Sequence, residues 1–233
     1  MSPSKPLTRL FVTPHELVVA KPAGLASELP RDAAADSLIT RLKSEGFDNL
    51  RLVHRLDAPA SGLMVVARTE QAAAHYSAEI AARRWHKFYV AAVGISGDRA
   101  KHLVGDHKAY LSTSGRKATV VRSGGKPSFL TIVHAASAPA TSGCSHVLVQ
   151  LHTGRFHQIR VMLAELGAPL IGDTVYGGAA NHALYLEHVL LSARTCDSSP
   201  HVWQAPAHDA RPAWASSLDE AIAEQANRLA TAG

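Results

Sequence analysis

The sequence predicts an α+β fold: a mixed, mostly antiparallel central sheet flanked by helices. Three observations lead there. Short runs rich in β-branched residues outnumber segments of helical period, and most of them follow one another across Gly-containing turns. No Pro/Gly/Ser-rich linker, repeat or low-complexity tract divides the 233 residues. One domain over residues 1–233 is therefore expected, with its core at about 10–210, a short N-terminal tail and a C-terminal helix.

Taken in order, Leu17–Ala20 reads as a buried strand ended by the turn Lys21-Pro22-Ala23-Gly24. Asp36 is placed to cap a helix with Leu38, Ile39 and Leu42 on its apolar face and Gly46 as its stop. Two β-rich runs, Arg51–His54 and Gly62–Ala67, flank Asp57-Ala-Pro-Ala-Ser61. The proline there argues against one continuous strand, which leaves Asp57 on a loop between two strands. Thr69 caps an Ala-rich helix reaching about Arg84, with Tyr76 and Ile80 inward. Strands follow at Phe88–Val93, Ala118–Val121, Phe129–Val133 and His146–Leu151, with a surface loop from His134 to Gly143. Thr153-Gly154-Arg155 turns into a helix carrying Ile159, Met162, Leu163 and Leu166, closed by Gly167. A strand at Tyr185–Leu191 and a helix opened by the capping-box pattern Ser217-x-x-Glu220 complete the chain.

Composition narrows the function. An apolar fraction of 46% and a charged fraction of 18% are those of a globular protein. The N-terminus has no apolar signal-peptide core, and no apolar run approaches the roughly 18 residues of a membrane span. Cys144 and Cys196 are far apart and form no CxxC pair, so a reducing, cytoplasmic location is expected. Net charge is +5 and pI about 9.4, but the excess is local. Arg83 to Lys126 holds ten Lys or Arg against two acids, while the remainder has fourteen basic residues and seventeen acids. A polyanion would meet this segment first. Histidines number fourteen, yet His152 and His157 have no third ligand at recognised spacing, so neither metal nor cofactor is expected.

Asp57 has Arg51, His54, Arg55 and Arg68 near it in sequence and no other acid between Leu50 and Thr69. A carboxylate on such a loop stays ionised only beside a cation. Two readings stand on local features alone: a turn aspartate bonded to its own backbone, or a functional carboxylate.

Three further segments bear on the choice: Val18-Val19-Ala20-Lys21-Pro22-Ala23-Gly24; His54-Arg55-Leu56-Asp57 running on to Ser61-Gly62-Leu63; and Thr153-Gly154-Arg155-Phe156-His157-Gln158-Ile159-Arg160, continued by Pro169-Leu-Ile-Gly172-Asp173-x-x-Tyr176-Gly177. With Lys87-Phe88-Tyr89-Val90-Ala91 as a fourth, this order resembles the RluA-like family of RNA pseudouridine synthases over roughly residues 10 to 210. The resemblance implies a pseudouridine-synthase-type domain that isomerises uridine in ribosomal or transfer RNA without metal or cofactor. It implies Asp57 as the nucleophile, Arg55 as the group that enters the space of the flipped base, Tyr89 as the ring against the uracil, and Arg160 as the partner of the catalytic carboxylate. Too few residues precede the first motif for the S4 RNA-binding domain of some relatives, so a stand-alone, monomeric catalytic domain is expected. Ala60, Ala168, Ser128 and Leu184–His188 depart from the family pattern without touching those four positions.

These residue types suit the chemistry. A carboxylate can attack the sugar carbon or the base to form a covalent intermediate, and a fixed arginine keeps it charged in a dry pocket. Asp173 is read as part of a Gly-Asp turn, and Ser112–Lys117 as a mobile basic loop. Two rival readings are a non-catalytic RNA binder and a small-molecule hydrolase or lyase with an unrelated basic patch.

Overall fold

The computed structural model describes residues 6–29, 36–180 and 182–232; of the N-terminal tail expected before about residue 10, residues 1–5 lie outside them and the rest leads into the first strand, at Thr8–Val12. In chain order the elements are β1 (Thr8–Val12), β2 (Glu16–Lys21), α1 (Leu38–Ser44), β3 (Arg51–Leu52), β4 (Ser61–Ala67), α2 (Glu70–Ala81), β5 (His86–Val93) and α3 (Gly97–Lys101). They continue with β6 (Gly105–Ser114), β7 (Lys117–Val120), β8 (Lys126–Ser137), β9 (Ser145–Leu151), α4 (Gln158–Glu165), β10 (Leu186–Arg194), β11 (Pro200–Gln204) and α5 (Ser216–Ala232).

All eleven strands join one sheet, in the order β1-β2-β4-β10-β5-β9-β8-β6-β7, with β3 on β4 and β11 on β10. Only β10 and β4 run parallel; the other pairs are antiparallel, as the turn-linked strands predicted. At the parallel junction Gly62 faces His188, and a Cβ there would collide with the His188 backbone. Glycine is what lets the two strands meet.

Alternation along the strands divides the core between the two faces. Val19, Met64, Tyr89, Ala91 and Val149 point to one face, covered by Leu38 and Leu42 of α1 and Ile159 and Leu163 of α4. Val18, Leu63 and Val65 point to the other, under Tyr76 of α2. Phe88, Val90 and Leu148 share that second face with Leu218 and Ile222 of α5.

Several expectations change. Ser37, not Asp36, caps α1: its hydroxyl accepts from Thr40 N at 3.1 Å while Thr40 Oγ1 accepts from Ser37 N at 2.7 Å. Asp36 lies one residue early and accepts from Arg41 Nε at 2.6 Å. The run at Arg51–His54 leaves the ladder after Leu52, because the His54 ring takes the Val65 N–H at 2.9 Å. The loop expected from His134 begins only after Ser137; a bulge between Ile132 and His134 lets β8 continue beside β9 and bury Ala135 and Ala136. Ser217 lies inside the first turn of α5 rather than ahead of it, with its hydroxyl 3.2 Å from His134 Nε2. Ser112–Lys117 is a β6–β7 hairpin, with Ser114 paired to Lys117 across Gly115 and Arg116. β6 was invisible in the sequence because only Leu111 of its ten residues is buried, so no apolar alternation marks it.

Candidate active site

Asp57 sits on the loop between β3 and β4, and that loop is held from beneath. The Lys21 ammonium, almost fully buried, donates to the carbonyls of Leu25 (2.7 Å), Pro22 (2.9 Å) and Ala58 (3.2 Å). Burial lowers the Lys21 pKa to about 8, against the opposing charge of Asp57. Ser27 donates to Leu56 O at 2.8 Å and accepts from Leu56 N at 3.2 Å. Ala60 N closes a turn onto Asp57 O at 3.0 Å. Lys21 and Gly24 on Ala58, with Ser27 on Leu56, thus clamp the residues either side of Asp57.

α4 supplies the opposite wall. Arg160 Nη1 donates to Asp57 Oδ2 at 3.3 Å, a long contact. Its stronger grip is on Asp173: Nε to Oδ2 at 2.6 Å and Nη2 to Oδ1 at 2.7 Å, a bidentate pair with both side chains buried. The turn reading of Asp173 is therefore incomplete, because that carboxylate fixes the guanidinium that reaches Asp57. Tyr176 lies 5.2 Å beneath the same guanidinium, accepts from Ala118 N at 2.9 Å, and has its hydroxyl 3.0 Å from His157 Nδ1. One tyrosine so ties the β6–β7 hairpin to the site.

The helix itself begins at Gln158, after His157 in the left-handed region at φ +52°. That conformation is costly for a residue with a Cβ, and here it turns the imidazole inward, Nε2 standing 3.7 Å from Asp57 Oδ2. Burial holds His157 below the ordinary imidazole value against Asp57; Arg160 adds to the lowering and Asp173 opposes it.

Tyr89 is buried and forms the inner end of the cleft, its ring stacked on His188 at 4.5 Å and 11°. Burial, reinforced by Asp57, raises its hydroxyl pKa, so the phenol stays protonated. His188 donates from Nδ1 to Leu63 O at 2.7 Å, and burial drives its pKa to about 3. It is a neutral plate behind the tyrosine. Arg55 is exposed, with no side-chain partner among the described residues. The cleft has a volume of about 780 Å³ and is lined by Arg55, Asp57, Lys87, Tyr89, Arg155 and His157, among others. A slot of about 60 Å³ leads in from it between Asp57, Tyr89 and Arg160. The four residues singled out from the sequence therefore border one space.

A family model described as RNA pseudouridylate synthase matches residues 15–165. The chain belongs to this family. Over 182 residues it is 34% identical to a protein of Xanthomonas campestris named ribosomal large subunit pseudouridine synthase D, covering 75% of this chain and 53% of the relative. Over 179 residues it is 34% identical to a dual-specificity RNA pseudouridine synthase RluA of Vibrio parahaemolyticus, covering 75% and 71%. The chain spans about half the length of the first of these relatives. Its fold is that of the structure titled human RNA pseudouridylate synthase domain containing 1, at a TM-score of 0.74 and 24% identity over 97% of this chain and 98% of that one.

In this RNA pseudouridylate synthase domain the sequence reading missed Asp173, Tyr176, His157 and His188 as members of the site. The first three lay inside quoted motifs, so the signal was present but their partners were not. His188 lay in a segment read only as a departure from the family pattern, since only the sheet brings β10 behind Tyr89. Among the described residues no three His, Cys, Asp or Glu come together as a metal site, and no helix is long and apolar enough to cross a membrane.

Proposed function

We propose that the protein isomerises specific uridines in structured ribosomal or transfer RNA to pseudouridine, working as a single, monomeric catalytic domain in the cytoplasm. Asp57 is the nucleophile. The observation that carries this reading is a carboxylate contacted by a fixed arginine, at the mouth of a slot that ends on a buried tyrosine, in a chain of this family.

In this reading the target nucleotide leaves its stack, at a cost of a few kcal/mol, and Arg55 fills the vacated space with its planar guanidinium. Tyr89 packs on the uracil, a contact worth roughly 1–3 kcal/mol. Asp57 attacks the sugar carbon or the base, and the N1–C1′ bond breaks. The base turns, C5 bonds to C1′, the Asp57 carboxylate leaves the atom it attacked, C5 gives up its proton and N1 gains one. Arg160 holds the carboxylate aimed while water is excluded. The two cysteines, each half-buried and unpaired, fit a reducing compartment.

The test is tritium release from ribosomal and transfer RNA labelled at uracil C5. Release is expected with the wild type and none with Asp57→Ala, which should keep most of its RNA affinity. Full activity in Asp57→Ala would end the nucleophile assignment, and no release by the wild type from either RNA would end the substrate assignment.

A further inference from the structure

Two lysines are buried beside the cleft, and the protein treats them differently. Lys21 has three carbonyl acceptors. Lys87 has none among the described residues, although only 8% of it is exposed. Its backbone is fixed at the start of β5, paired with Leu151 on one side and Leu191 on the other, and its side chain lines the cleft. An ammonium that reaches the cleft from a mostly buried side chain, without a protein acceptor, is only partly solvated and is a ready partner for an anion.

Among the described residues no neighbouring carboxylate contacts it. The imidazoles of His54 and His188, which feel Lys87, are both kept neutral, and His54 Nε2 already accepts from Val65 N. Asp57 faces Arg160 and His157 instead. The approach to Lys87 is open: Gly154 flanks it, and a Cβ there would stand 3.7 Å from Nζ. Arg55 and Arg155 are exposed at the lip of the same cleft, without carboxylate partners among the described residues. Two cations at the entrance and a third, unpartnered, at the floor trace the path of a strand with regularly spaced negative charge.

We propose that Lys87 binds a backbone phosphodiester of the RNA strand that carries the target uridine, drawing that strand into the cleft past Arg55 and Arg155. This rests on the RNA reading above. A phosphodiester suits the site because it stays anionic at any working pH and offers two acceptor oxygens to one ammonium.

The experiment is a titration of a short RNA hairpin with uridines in its loop, at several salt concentrations, against wild type, Lys87→Met and Lys87→Arg. Lys87→Met should bind roughly tenfold to a hundredfold more weakly, with a log–log salt slope shallower by about 0.7–0.9. Lys87→Arg should restore much of that slope. A scan replacing single phosphates with neutral methylphosphonates should find one position that weakens the wild type and leaves Lys87→Met unmoved. If the Met variant does not fold, Lys87→Gln takes its place. Unchanged affinity and slope in a folded variant overturns the inference, as does a fall in maximal rate at unchanged affinity, which would make Lys87 a proton-transfer group. These are binding readouts. A wild type that binds but makes no pseudouridine would sink the activity reading alone.

Discussion

The cations around the cleft differ in whether the fold satisfies them. On the α4 wall, Arg160 is buried, bidentate to Asp173, stacked over Tyr176 and in contact with Asp57. At the lip and floor of the cleft Arg55, Arg155 and Lys87 have no carboxylate among the described residues. A cation neutralised within the fold can aim another group but has little affinity left for an outside ligand. A cation left without a partner holds its capacity for the ligand and lowers the stability of the empty protein when it is buried. The contrast separates positioning from binding within one site.

The sharpest way to break that contrast is Asp173→Ala. It strands a buried guanidinium, so a loss of about 3–5 kcal/mol and a Tm lower by about 10 °C are expected in a thermal melt, with activity falling as well. A melt within about 2 °C of wild type would place Arg160 with the unsatisfied group.

Next in size is the pH dependence of stability without RNA. Burial lowers the Lys87 pKa to about 8, while the unfolded chain titrates near 10.5. Between these values the unfolded chain holds a proton that the folded protein has released, so stability rises with pH across that window. The gain is about 3 kcal/mol at most from this lysine. Below pH 8 the full cost of the buried ammonium is present, and Lys87→Met should be the more stable protein there, with the difference shrinking toward pH 10. Denaturant titrations at pH 7 and 10 measure it; equal stability at pH 7 would mean that Lys87 is already compensated in the free protein.

Arg55→Ala sharpens the comparison from the other side. Its stability should stay within about 0.5 kcal/mol of wild type, while turnover of RNA falls roughly tenfold to a hundredfold, as for loss of one charged contact. Single-turnover kinetics beside a melt would show a structural role if both fell together. The smallest effect is expected at the hairpin. Arg116→Glu with Lys117→Glu should weaken RNA binding and flatten its salt slope by about one to two, with the larger part from Arg116, since Lys117 also lies 5.6 Å over Tyr176. An unmoved slope would remove the hairpin from the RNA footprint.

Much of this was legible in the chain. The continuous apolar runs at Leu17–Ala20, Gly62–Ala67 and His146–Leu151 became strands because each buries residues on both faces of the sheet, which demands apolar side chains in succession. Thr69 was readable as a cap because capping is local, its hydroxyl accepting from Ala72 N at 3.1 Å. β6 was not, because its residues alternate between open solvent and partial cover.

By itself, then, the sequence determined the α+β class, the loop that carries Asp57, and a group of motif residues whose types suit a charged nucleophile beside a base. These are properties of dihedral preference, alternation and residue chemistry, all written within a few positions. The tertiary structure decided who partners whom. Arg160 meets Asp57 from 103 positions away and is held by Asp173, Tyr89 rests on His188 from a distant strand, and Lys87 is left without an acceptor. Whether a buried charge is satisfied depends on which atoms packing brings within about 3 Å, and no spacing along the chain encodes that distance.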